Sequence, residues 1–172
     1  MVPPSNEPFV WPRPASPLPN EKEFDPYNGN LDCQHALQVF GGMTLDQAYS
    51  EFCDRPEIYQ EDFVFMGPKA FVYYFPIVDR YLREVKSNDP HDDCAADILA
   101  YAINGQLDND DVSGSATIVS ELCNLIDFVL LEVARYSGSK KIRKQIHATW
   151  NQLADKLVEC EQDAACVPKG GK

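Results

Sequence analysis

The chain has 172 residues, 44% of them hydrophobic and 24% charged, with a net charge of −12 from 27 acids against 15 bases. That length suits a single domain with a real core. The charge disfavours nucleic-acid binding, which needs a basic surface to release counterions, and docking on an anionic membrane.

Residues 1–30 read as a proline-rich extension: eight of the 13 prolines lie there, at 3, 4, 8, 12, 14, 17, 19 and 26. Proline removes a backbone donor and fixes φ, so an extended tail is expected here rather than helix or interior strand. Pro14-Ala-Ser-Pro17 has the spacing that aromatic-grooved domains read in polyproline ligands, although such short motifs recur by chance. Phe9, Val10 and Trp11 offer a second reading. So much apolar area is costly in water, which favours an anchor folded back onto the rest of the chain. The opening Met-Val-Pro-Pro-Ser-Asn-Glu-Pro has neither the basic nor the apolar region of a signal peptide, so a cytoplasmic location is expected. Cys33, Cys53, Cys94, Cys123, Cys160 and Cys166 are then expected as free thiols. Cys53, Cys94 and Cys123 fall in helical patterns and read as small buried residues. No C-x-x-C pair occurs, and the Cys160-x5-Cys166 spacing fits no zinc pattern.

From residue 31 to about 162 the apolar period is helical, and 163–172 reads as a flexible tail. The expected fold is all-α, a compact bundle of about six helices. The first runs Leu31–Phe40 and stops at Gly41-Gly42. Thr44-Leu-Asp-Gln47 is a capping box for the second, which ends before Asp54-Arg55-Pro56. Pro68 suits the first turn of a third and longer helix, to about Val85, burying Phe71, Tyr74 and their periodic neighbours. Pro76 is expected to kink it. Val, Tyr and Phe make a β-hairpin over 63–78 the competing reading. A fourth helix is expected from about Asp93 to Asn104, capped by Asp89 or Asp92 and stopped by Gly105. The fifth, about Ser115 to Tyr136, is apolar nearly all round and so expected to be central. The sixth starts at Ser139 and carries Ile142, Ile146, Trp150, Leu153 and Leu157 on one face, to lie across the fifth. Phe71, Tyr74, Pro76, Leu122, Ile126 and Trp150 are the expected core.

Chemistry-bearing patterns are sparse. Residues 84–111 hold eight acids against Lys86. Asp108-Asn-Asp-Asp-Val-Ser-Gly starts like a calcium loop, but Val112 stands at its fifth position, Ser113 at its sixth and Val119 at its twelfth, so a solvated acidic loop is the plainer reading. The sharper reading makes Asp92, Asp93, Asp108, Asp110 and Asp111 a docking surface for a basic protein. His35, His91-Asp92 and Asp127 follow the ligand order of an all-helical class of metal phosphohydrolases, in which imidazole and carboxylate hold a water-activating metal. In that class, however, the His-Asp pair ends an apolar helix, and here it follows Lys-Ser-Asn-Asp-Pro. A buried Tyr hydroxyl is the simpler expected partner for Asp127. Lys140-Lys-Ile-Arg-Lys144 opposes its own helix dipole; the plainer expectation is that it pairs with the acidic loop, the sharper one that it is a contact site. Phosphate loops, G-x-S-x-G and H-E-x-x-H are missing.

At Phe65-x2-Pro68-x-Ala70-Phe71-x-Tyr73-Tyr74-x-Pro76 the sequence resembles a family of small bacterial proteins of no established activity. That family shares Pro-x-Ala-Phe, an aromatic pair and a Leu-Pro-Ala tail; here Phe75 and Ile77 replace the Leu and Ala. The resemblance covers about 20 residues well and 45–136 by element order. It implies a compact helical fold, a bacterial cytoplasmic protein and no catalytic residue to carry over. The leading expectation is a non-enzymatic acidic binding protein, of the kind that masks a basic toxin as an immunity-type inhibitor, with no cofactor. The alternative is a metal-dependent phosphohydrolase using His35, His91, Asp92 and Asp127.

Overall fold

The computed structural model describes residues 10–11, 17–86 and 96–166, with side chains up to residue 160. It is all-α: no strand occurs among the described residues.

Its axis is the helix opened by Pro68. To number the elements in chain order, α1 is Glu21–Phe24, α2 Leu31–Phe40, α3 Leu45–Asp54, α4 Pro56–Tyr59, α5 Asp62–Phe65, α6 Pro68–Glu84, α7 Ala96–Gln106, α8 Asp110–Ser113, α9 Ala116–Leu131 and α10 Lys140–Cys166. Helix α6 buries Ala70, Phe71, Tyr74, Phe75, Pro76, Ile77, Val78, Tyr81 and Leu82. The buried pairs 70/71, 74/75, 77/78 and 81/82 recur at helical spacing, and with Pro76 also buried the middle of the helix is covered all round; Asp62–Phe65 and Pro68–Glu84 are both helical, so the hairpin reading of 63–78 is overturned. Pro76 lies inside the helix, which continues to Glu84.

Helix α6 packs against α1, α3, α7, α8 and α9, while α10 lies over both α7 and α9. The core is one aromatic-rich cluster. Tyr74 stacks near Phe24 and Phe40, with ring centroids 5.8 and 5.7 Å away. Phe52 meets Phe63 and Tyr81 edge-on. Phe71, Tyr74, Leu122, Ile126 and Trp150 are buried in this cluster, as is Pro76 on α6.

Four features differ from the sequence reading. First, the proline-rich extension contains α1. Pro19 and Pro26 leave a proline-free window in which Asn20 and Glu23 close a reciprocal capping box, and the fully buried Phe24 ties the turn to the core. Second, α7 runs through Gly105 to Gln106, because the Gln106 side chain is engaged in the core (below); its expected start at Asp93, with Asp89 or Asp92 as cap, lies outside the described residues.

Third, α9 stops at Leu131, and a 3-10 turn follows at Val133–Arg135. Orphan carbonyls at the end of α6 draw that turn in. Arg135 donates to Arg83 O at 2.7 Å and Val85 O at 3.3 Å, and Tyr136 Oη to Leu82 O at 2.8 Å. Helix α9 is also one-sided rather than enclosed: Ile118, Leu122, Leu125, Ile126 and Val129 are buried, yet Leu131 is 81% exposed. Fourth, Cys53 and Cys123 are exposed and Cys33 is buried, while Cys94 lies outside the described residues.

Candidate functional site

The acidic corner sits between α7 and α9. Asp108 follows α7, and Asp110 and Asp111 form the first turn of α8, where carboxylates favour the positive end of the short helix. All three are exposed. Asp108 Oδ1 accepts from Lys156 Nζ at 2.7 Å, and the same ammonium donates to Asn104 O and Asn104 Oδ1 at 2.7 and 2.9 Å. Lys156 therefore caps the end of α7 and pins the corner to α10. Asp92 and Asp93 lie outside the described residues.

The cation that meets this corner comes from the middle of α10, not from the Lys140–Lys144 patch. Within the patch, Arg143 turns back to the carbonyls of Ser137 and Gly138, at 3.1 and 3.3 Å, and Lys140, Lys141 and Lys144 are exposed. Other acids of the 84–111 run also have partners inside the fold. Glu84 accepts from Arg80 Nε at 2.9 Å and Tyr49 Oη at 2.7 Å, and Asp97 accepts from Gln145 at 2.8 Å.

The metal-ligand pattern reads differently in space. His35 Nδ1 lies 2.7 Å from Asp62 Oδ1, joining α2 to α5. Asp62 is buried, its side chain 5% exposed against 53% for His35. Burial pushes the Asp62 carboxyl above its ordinary range; the hydrogen bond and charge of His35 pull it down, and Glu61 and Asp32 push it up. Asp127 is exposed on α9 and has no buried environment in which to need a Tyr hydroxyl. His91 and Asp92 lie outside the described residues, among which no group of three or more His, Cys, Asp or Glu side chains could hold a metal.

Beside this pair is a polar cluster with no sequence signal. Gln106 Nε2 reaches the carbonyls of Phe63, Val64 and Met66 at 2.9, 3.2 and 2.8 Å, taking up the orphan acceptors of α5. Cys33 Sγ reaches a fourth, Phe65 O, at 2.9 Å, and burial pushes the Cys33 thiol up, away from reactivity. These contacts hold the fold; their polar atoms face backbone rather than an open cavity.

A second acidic surface lies on α3. Met43, Gln47, Ser50, Glu51 and Asp54 line an open cleft of about 450 Å³. Residues 47, 50, 51 and 54 share one helical face, and Glu51 Oε1 accepts from Tyr59 Oη at 2.9 Å. Residues 21–62 carry ten acids against Lys22 and Arg55. That bias is as legible in the sequence as the 84–111 run, and counting charge only within that run misses it.

The N-terminal anchor is real at Trp11. Its ring meets Tyr49 edge-on at 6.0 Å and its Nε1 donates to Asp46 Oδ1 at 2.9 Å. Val10 is 85% exposed, and Phe9 lies outside the described residues.

No family model matches the chain, and neither a curated protein nor a solved structure matches it. No helix among the described residues is long and apolar enough to cross a membrane.

Proposed function

We propose that this protein is a non-enzymatic acidic binding protein that covers a basic partner, in the manner of an immunity-type inhibitor acting in a bacterial cytoplasm. The observation that carries this reading is the exposed carboxylate corner Asp108, Asp110 and Asp111 on a chain of net charge −12. Fields of one sign steer an oppositely charged protein and speed its association. The acidic cleft on α3 adds a second surface of the same sign. Membership of the bacterial family with the Pro-x-Ala-Phe signature belongs to the same proposal.

The test is whether a basic protein is encoded beside it and, where one is, the kinetics of their association. Replacing Asp108, Asp110 and Asp111 together by Asn should slow association by about tenfold at low ionic strength, flatten its salt dependence and leave dissociation nearly unchanged. An unchanged association rate and salt slope would reduce the corner to a solvated turn. The phosphohydrolase alternative gains no support from the described residues, since His35 is held by Asp62 and Asp127 stands apart in solvent.

A further inference from the structure

The seat of Trp11 is knit by contacts that do not pass through Trp11 itself. Arg80 lies with its guanidinium carbon 4.1 Å from the Tyr49 ring centroid. Its Nε is held by Glu84 Oε1 at 2.9 Å, and the Tyr49 hydroxyl by Glu84 Oε2 at 2.7 Å. One carboxylate thus fixes a cation and an aromatic ring as a unit across α3 and α6, and Asp46 stands on the same helix as Tyr49. Trp11 meets this unit from outside. Its N–H points at Asp46, its ring edge meets Tyr49, and Arg80 lies 5.3 Å from its centroid.

We propose that Asp46, Tyr49 and Arg80 form a peptide-docking seat for an indole side chain, occupied in cis by Trp11 and open to the tryptophan of a partner's extended segment when Trp11 leaves. The chemistry selects the indole. A guanidinium over the ring favours the most electron-rich aromatic face, and tryptophan is the best of these. Asp46 accepts the indole N–H, and phenylalanine has none to give. A lysine or arginine would meet the fixed charge of Arg80. Because the Arg80–Glu84–Tyr49 contacts do not run through the indole, they persist on this proposal when Trp11 leaves, so that an incoming indole need not order them. The resident Trp11 competes as a tethered ligand at high effective concentration. This site is separate from the acidic corner and wants a different partner chemistry, so it stands whether or not that corner docks a basic protein.

The probe is a fluorescein-labelled peptide of residues 7–16 of this chain, Glu-Pro-Phe-Val-Trp-Pro-Arg-Pro-Ala-Ser, followed by anisotropy. The full chain carrying Trp11→Ala should bind it saturably, and the unmodified chain about tenfold or more weakly, because its seat is filled. Adding Asp46→Ala to the Trp11→Ala chain should weaken binding several-fold, and a peptide with alanine in place of its tryptophan should not compete. The seat is overturned if a Trp11→Ala chain with unaltered melting temperature binds no better than the unmodified one, or binds the tryptophan-free peptide equally. A second measurement does not depend on that variant folding. In the unmodified chain the Trp11 Nε1–H should exchange with solvent far faster than that of Trp150, which is fully buried and donates to Ala96 O at 2.8 Å. Equal protection of the two indoles would show that Trp11 does not detach and would sink the proposal.

Discussion

At the scale of single residues, the polar side chains that matter most to the core are those the sequence hides. Gln106 falls in an apolar helix, three residues after Ile103, with nothing to distinguish it from a surface glutamine. In space its amide collects three carbonyls from the end of α5, while its own Oε1 is buried without a partner among the described residues. Gln106→Met keeps the volume and removes the donors. It should cost about 1–3 kcal/mol, the penalty for stranding buried acceptors, as read from urea midpoints; a neutral result would mean that water replaces the amide. Asp62 gives a prediction in pH. Its folded-state pKa is raised, mainly by burial, so protonation favours the fold. The stability it contributes is fully present below the unfolded value of about 3.9 and is lost as pH rises through the higher folded value. Asp62→Asn should remove that decline from a series of urea melts run from about pH 4 to about pH 7. His35→Ala should deepen it, because the one counteracting partner is gone. Identical pH profiles for wild type and Asp62→Asn would show that the carboxyl is not desolvated as described. Neither residue could be singled out beforehand, since burial and partnership across 27 or 43 positions arise only when α2, α5 and α7 come together.

At the scale of elements, the strong periodic segments were legible and the short ones were not. Helices α2, α3, α6 and α10 start where their caps or leading prolines put them: Asn30 before Leu31, the Thr44/Gln47 box, Pro68 at the first turn, and Ser139, whose Oγ accepts from the Ile142 N–H, before Lys140. The four-residue helices α1, α4, α5 and α8 leave no periodic trace, because one turn is too short for an apolar repeat and takes its stability from packing. Helix α1 shows what that packing requires. Gly67 accepts close approach of the α1 backbone: its N–H donates to Phe24 O at 2.8 Å, and a Cβ there would lie 2.2 Å from Glu23 O. Its φ is −58°, so the demand is for space rather than for a left-handed backbone. Gly67→Ala should therefore lift α1 and unseat Phe24, costing about 1–3 kcal/mol, the usual range for overpacking. Hydrogen exchange at the Gly67 amide reports it directly, since the bond to Phe24 O must lengthen. Wild-type protection there would mean that α1 yields without losing its seat.

At the scale of the whole molecule, the surplus of acid acts in two opposite directions. A net charge of −12 repels itself across the folded surface, and salt screens that repulsion. The native ion pairs Arg80–Glu84, Arg83–Asp79 and Lys156–Asp108 are also screened, but each is at least partly exposed on one side and such pairs are worth about 0–1 kcal/mol. Repulsion should dominate. Raising potassium chloride from about 10 mM to about 500 mM, which shortens the Debye length from about 30 Å to a few ångströms, should raise the melting temperature by a few degrees. A gain of ~1 kcal/mol corresponds to about 2–4 °C for a chain of this size. The same salt should slow association with a basic partner, so stability and binding move apart along one axis. The Asp108/Asp110/Asp111→Asn chain sharpens the contrast. It removes three negative charges and one surface ion pair, so its melting temperature should match or exceed that of the wild type at low salt and converge with it at high salt. If instead salt lowers the wild-type melting temperature, the local pairs outweigh the field. The acidic surface would then be holding the fold together rather than standing ready for a partner.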